Sequence, residues 1–423
     1  MAAGPEAPPE GIAYNRLFPW MRLFGAFGVA SDPKKLILAA VGLVVFQLGG
    51  AALDRTLARA PETQRSWFPR HPIDASQRGF WTTYASTTID GQPQPIQTSE
   101  HQLAMEPPPI MAGIGARLQS APTRLGEPVG VLVGPFVRAF APAASTSSFI
   151  HALLSAFWGA LVWGLFGGAI ARIALLQVSR SRSLTLTGAV RFAASNAVSL
   201  VSAPLAPLLA VGAFALLCAL FGLVYRIPSV GATFAGALAL VPLLAGLVMT
   251  VVLICLALGW PLMAPAVAAE GEDSFDALSR SFAYVNQRRG LYLFYVVLAW
   301  LVGSVGLVFV DVFAGLVVHL AEWGLSFSAP RDTLLALWGR SDAGLPAAAA
   351  AHGFWLGLVG LLAHAWIYSY FWSSSAIVYL LLRHNVDGTP FHELHVPDSP
   401  AAPVSDPVPD PVAVDEATPA EAS

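Results

Sequence analysis

Charge is scarce in this chain. Charged side chains make up 12% of the 423 residues and hydrophobic ones 55%, about half the charge share of an ordinary soluble domain. A chain of this length with so few ionic groups must have lipid as its main solvent. Lysine is missing except for Lys34 and Lys35, the other basic residues being arginine, and the formal net charge is -3. No basic surface is available for a polyanion, which excludes nucleic acid as a partner. Cysteine is equally sparse. Cys218 and Cys255 both lie in apolar runs, and helical counting puts them at opposite depths of a bilayer, so neither a disulfide nor a metal site is expected. The lack of cysteine in every extramembrane segment fits an envelope protein without a disulfide scaffold.

Enzyme signatures are also missing. The sequence contains no His-Glu-x-x-His pair, no phosphate-cradling Gly-Lys-Ser or Gly-Lys-Thr, no Gly-x-Gly-x-x-Gly and no Gly-x-Ser-x-Gly elbow, and His392, Glu393 and His395 lack helical metal-ligand spacing. No catalytic residue, metal ligand or cofactor is therefore assigned.

Long uncharged runs are what the chain does have. A hydrocarbon core of roughly 30 Å needs about 20 helical residues, and six runs meet that need: Leu36 to Leu53, Ile150 to Gln177, Val198 to Val224, Gly231 to Trp260 or Ala269, Leu291 to Glu322, and Gly353 to Leu382. The predicted fold is all-α, a polytopic transmembrane bundle of six spans with amphipathic interfacial helices on its inner face. Orientation follows from the basic residues, which are retained on the cytoplasmic side. With the N-terminus inside, the inner segments hold Arg16, Arg22, Lys34, Lys35, Arg172, Arg180, Arg182, Arg191, Arg280, Arg288, Arg289 and Arg383, whereas the two short outer loops hold only Arg226, Arg331 and Arg340. Residues 1–35 are then a cytoplasmic segment, 36–53 the first span, 54–148 an extracytoplasmic loop, 149–386 a five-span domain and 387–423 a cytoplasmic tail. Ala58, Arg59 and Ala60 form a cleavage-like site, but Pro61 follows it and the apolar run lies far from the start, so the first span reads as an uncleaved anchor.

The stretch from Pro61 to Pro109 is rich in Pro, Gln, Thr and Ser and reads as irregular. Val129, Leu132, Val133, Phe136, Val137 and Phe140 share one helical face, which predicts an interfacial or bundle-packed helix near 129–141. The tail after Pro397 is acidic and rich in Pro and Ala; it reads as disordered and solvated, with docking of a soluble cytoplasmic partner as the alternative.

Two inner loops look alike. Arg191-Phe192-Ala193 followed by Asn196, and Phe282-Ala283 followed by Asn286, each precede a span, suggesting a repeated unit of span, surface helix, span. In the second copy Phe275, Leu278, Phe282 and Val285 recur at helical spacing, with Asp273 and Asp276 at the start and Arg288 and Arg289 just beyond, as the helix dipole prefers. Gly259-Trp260-Pro261-Leu262-Met263, then Ala268-Ala269-Glu270-Gly271, then Asp273 through Phe282 resemble a group of uncharacterised bacterial six-span inner-membrane proteins. The stretch from Asp273 to Trp300 is more distantly similar to the Yip1-like and glycerophosphodiesterase membrane-domain families, in which a surface helix ending in a basic pair leads into a span. Those resemblances imply a membrane-bundle fold and no activity, and no functional residue carries over.

Ionisable groups within spans are costly and so are default functional candidates. Asp311, His319 and Glu322 lie on the fifth span; Asp311 and Glu322 share a face, with His319 offset by about 80°. Asp311 falls about 30 Å from the inner surface, near the outer interface, where a structural or interfacial role is expected, with a proton relay or metal site as the alternative. His364 lies deeper in the sixth span, about 16 Å from Gly353, and Tyr368 and Ser375 extend its face. Interhelical hydrogen bonding is the plain reading of that face, and ligand binding or proton transfer the sharper one. Arg172 is expected to snorkel to the inner interface. Small residues at Ala160, Gly164 and Gly168, and at Gly353 and Gly357, predict close helix approach within the bundle or in a homodimer, and Pro242, Pro261 and Pro265 predict a kink and an irregular exit in the fourth span. The functional reading is a non-catalytic scaffold or accessory protein contacting lipid and soluble partners. The alternative is a small-solute transporter or channel using the sixth span, and an intramembrane enzyme ranks below both.

Overall fold

The computed structural model describes residues 18–57, 88–89, 92–93, 110–139, 146–180, 184–227, 231–271, 273–330, 333–334, 337 and 346–394. The segment before Phe18, nearly all of Pro61–Pro109 and the tail beyond Leu394 lie outside these residues, so the readings of an irregular loop and a disordered tail do too. A two-residue antiparallel ladder joins β1 (Thr88–Ile89) to β2 (Gln92–Pro93); the other regular elements are helical. Among the described residues, six helices are long and apolar enough to cross a membrane. They are α2 (Pro33–Leu57), α5 (Thr146–Arg180), α7 (Ala197–Gly222, continued by a 3-10 turn Leu223–Arg226), α9 (Leu240–Glu270), α11 (Arg289–Leu325) and α12 (Pro346–Asp387). Five of the six expected runs fall within these helices, the third with its 3-10 continuation, while the fourth, expected from Gly231, begins only at Leu240.

Helix α12 is the central post. From Ala365 to Leu382 it is buried on every side except at the half-buried Phe371, as an all-round apolar helix must be. It packs against α2, α5, α9 and α11. The periphery is the reverse. Leu209 and Leu216 of α7, Leu243 (69% exposed) and Leu247 of α9, and Leu301 (62% exposed), Val305 and Phe309 of α11 all face outward. An apolar belt of this extent cannot face water in a stable monomer, and it is the surface expected of an integral membrane protein in contact with lipid.

Local sequence explains several helix boundaries. Gly271, at φ 66°, takes the left-handed conformation that ends α9. Asp273 then caps α10 (Ser274–Gln287), its carboxylate accepting from the amides of Phe275 (3.1 Å) and Asp276 (3.0 Å). Thr185 does the same for α6 (Leu186–Ser195), accepting from Gly188 N at 3.1 Å. The two amphipathic helices therefore stand at the expected places, α6 between α5 and α7, and α10 between α9 and α11. Their asparagines differ in use: Asn196 donates to Phe192 O (2.9 Å), whereas Asn286 Oδ1 accepts from Arg289.

The fourth span departs from expectation. A turn at Leu238–Ala239 separates α8 (Gly231–Ala237) from α9, and Pro242 sits in the first turn of α9 rather than mid-helix. Its ring would clash with the Leu238 carbonyl four residues back, so the helix restarts where a missing N–H costs nothing. At the other end α9 continues through Pro261 and Pro265 to Glu270, so the irregular exit is not found.

The segments outside the spans are integral to the bundle. A 3-10 turn (Pro19–Gly25) and α1 (Ala26–Ala30) precede α2, with Leu23, Ala26 and Ala30 fully buried. The expected helix near 129–141 is α4 (Glu127–Ala139), packed along α5; a second helix, α3 (Ile110–Leu125), precedes it and packs along α11. Arg22 lies over the Phe391 ring at 3.8 Å, so the two described ends of the chain meet on one face of the bundle. That face is termed the terminal face below, and the α3–α4 hairpin approaches from the distal side.

Candidate functional site

The turn of the hairpin, Arg124-Leu125-Gly126-Glu127, carries two charges into the bundle. Arg124 forms a two-pronged ion pair with Asp311 of α11, its Nη2 3.3 Å from Oδ1. Glu127 Oε1 lies 3.0 Å from His364 Nε2 and accepts a hydrogen bond from the Tyr368 hydroxyl at 3.1 Å. Tyr368 is fully buried and stacks on Trp163 of α5, centroids 4.2 Å apart and planes at 16°. Burial pushes the Glu127 carboxyl up, but hydrogen bonds from His364 and Tyr368 and the charges of His364 and Arg124 outweigh it, holding the group below its ordinary value.

His364, Tyr368 and Asp311 are thus gathered around one hairpin turn, which sequence reasoning missed. Asp311 is buried rather than at a wet helix end; its companion on that face, Glu322, lies 3.7 Å from His352. Ser375 is not part of the cluster. It stands two helical turns closer to the terminal face and lines an apolar groove. Three more polar groups of α12 hold neighbours: Ser369 Oγ donates to Ala30 O (2.6 Å), Trp366 Nε1 to Ser31 Oγ (3.1 Å) and Tyr370 OH to Ala299 O (2.6 Å), whereas Trp372 Nε1 and Ser373 Oγ are buried without a hydrogen-bond partner among the described residues.

A second polar cluster lies on the terminal face. Glu270 pairs with Arg280 (2.6 Å) and Arg383 (3.2 Å) and accepts from Tyr379 OH (2.7 Å). Tyr284 donates to Asp387, and burial together with that carboxylate raises the Tyr284 hydroxyl well above its ordinary value. Glu270 and Arg280 were visible in the sequence but their pairing was not. Arg172 does not snorkel: it is 3% exposed, donates to Ala268 O (2.5 Å) and covers Phe192 at 4.6 Å. Lys35, expected as a flanking interfacial charge, is fully buried and donates to Gln177 Oε1 (2.5 Å), which in turn donates to Asp32.

The small-residue stripe serves the bundle. A side chain at Gly168 would come within 2.7 Å of Leu200 of α7, and one at Gly164 within 3.2 Å of the Leu200 carbonyl. Gly353 has nothing within reach, so the stripe does not extend to the start of α12. Among the described residues no group of three or more His, Cys, Asp or Glu side chains could hold a metal ion. Chemically, the hairpin cluster can fasten helices through charge-assisted hydrogen bonds. No family model, curated protein or solved structure matches the chain.

Proposed function

We propose that this chain is a multi-pass protein of a bacterial inner membrane, both termini cytoplasmic, that acts as a non-catalytic scaffold or accessory protein. The carrying observation is that the candidate polar residues deep in α12 are engaged internally: His364 and Tyr368 both bind Glu127, and Ser369 and Tyr370 bind backbone carbonyls. Groups that serve as fasteners are a poor lining for a solute path, which weighs against transport through the sixth span. The orientation is supported by the terminal face, which carries Arg22, Arg191, Arg280, Arg288, Arg289 and Arg383, the charge bias of a cytoplasmic side. The same face presents α6 and α10 to soluble partners, and the resemblance to bacterial six-span proteins agrees with the compartment.

Crosslinking in intact membranes, followed by affinity purification from mild detergent, is expected to return a reproducible partner protein; recovery of the chain alone under every condition contradicts the reading. In reconstituted vesicles His364→Ala is expected to leave solute flux unchanged, and a flux that disappears with His364 returns the transporter reading.

A further inference from the structure

Helices α9 and α11 are joined by Tyr292 OH donating to Leu258 O (2.6 Å) but otherwise make little contact, and α12 closes the space between them from behind. The result is a groove of about 1130 Å³ that opens sideways through the apolar belt. Phe371, Ser375 and Val378 of α12 form its floor. Ile254 and Leu258 form one wall and Val296 and Trp300 the other, all four substantially exposed. Leu125 and Val129 of the hairpin close the distal end, with Trp300 Nε1 donating to Pro122 O at 2.9 Å. At the terminal face the groove ends at Phe282, Asn286 and Arg289.

We infer that this groove is a specific site for an anionic phospholipid of the leaflet on the terminal face, with an acyl chain between α9 and α11 and the phosphate against Arg289 and Arg288. Length supports the assignment. Arg289 and Trp300 are about 16 Å apart at the helical rise, close to the roughly 15 Å depth of one leaflet. Chemistry supports it too, because the walls are apolar where the chain would lie and the mouth is cationic where the headgroup would sit. Arg289 is held in place by Asn286, its Nε and Nη2 donating to Oδ1 at 3.0 and 2.5 Å. Neither arginine has a carboxylate within ion-pair distance among the described residues, so an anionic headgroup supplies the missing countercharge. The occupant needs no route of delivery, since the groove faces bilayer lipid. The inference requires only that the bundle stands in a membrane and is independent of the accessory-protein reading.

Native mass spectrometry of the full chain, after exchange into detergent with phosphatidylglycerol or phosphatidylcholine, tests it. The wild-type protein is expected to retain one phosphatidylglycerol through delipidating washes. Val296→Trp, which fills the groove from an exposed wall position, should abolish that retention. Leu216→Trp, on the outward face of α7, should leave it intact, which separates the groove from general lipid contact. Arg288→Gln with Arg289→Gln should lower the preference for phosphatidylglycerol over phosphatidylcholine by about thirtyfold. Equal retention by Val296→Trp and wild type, equal loss in both tryptophan variants, or no headgroup preference in the wild type overturns the inference, as does recovery of a non-phospholipid amphiphile in the groove's place.

Discussion

Glu127 shows how one residue can decide the meaning of several others. By itself His364 in an apolar helix is a default functional candidate, yet here its Nε2 is engaged by a carboxylate from an extramembrane hairpin. Removing the imidazole leaves a mostly buried carboxylate short of a partner, so His364→Ala is expected to cost about 1–3 kcal/mol and to lower the thermal unfolding midpoint in detergent. A midpoint unchanged from wild type would remove the fastening role. The Glu127 carboxyl is held below its ordinary value of 4.5. Its stabilising contribution is therefore complete above about pH 4.5 and is lost as the pH falls from there through the lowered native value. Glu127→Gln should flatten the acid side of the stability profile in that window, while leaving the neutral groups Tyr368 and Trp163 stacked. The stability-versus-pH curves of the two proteins, measured side by side, check this; parallel acid limbs would place the sensitive group elsewhere.

Among the elements, α5 and α7 show why small residues matter in lipid. Without a hydrophobic drive between helices, close backbone approach supplies the attraction, and Gly168 leaves room for Leu200 alone. Gly168→Val forces the two helices apart and is expected to cost about 1–3 kcal/mol, whereas Gly353→Val, at a position with nothing nearby, should be tolerated. Monodispersity and unfolding midpoint in detergent distinguish the two, and equal behaviour would contradict the packing assignment. The Ala-Gly-Gly spacing was legible in the sequence. Its partner was not, because the stripe specifies that a helix comes close without naming which one. Pro242 teaches the converse lesson: the residue was read as a mid-helix kink, but the cheaper solution was to end one helix before it and start another.

The whole molecule keeps its two described ends together through Arg22 over Phe391, and Tyr284 bound to Asp387 ties α10 to the end of α12. Fusion reporters placed before Phe18 and after Leu394 are accordingly expected to score on the same side of the membrane, the cytoplasmic one under the orientation proposed above. Reporters on opposite sides would break the six-span topology. Hydropathy alone determined the number of spans, their approximate limits and the two surface helices, because these depend on periodicity and on the cost of exposing backbone amides to lipid, both local properties of the chain. Tertiary structure decided everything that needs two distant segments at once. It brought Arg124 to Asp311 and Glu127 to His364, buried Arg172 and Lys35, and left α9 and α11 apart around an open groove. A polar side chain in a span announces that it must find a partner, but which partner depends on long-range packing, and no count along the sequence contains that distance.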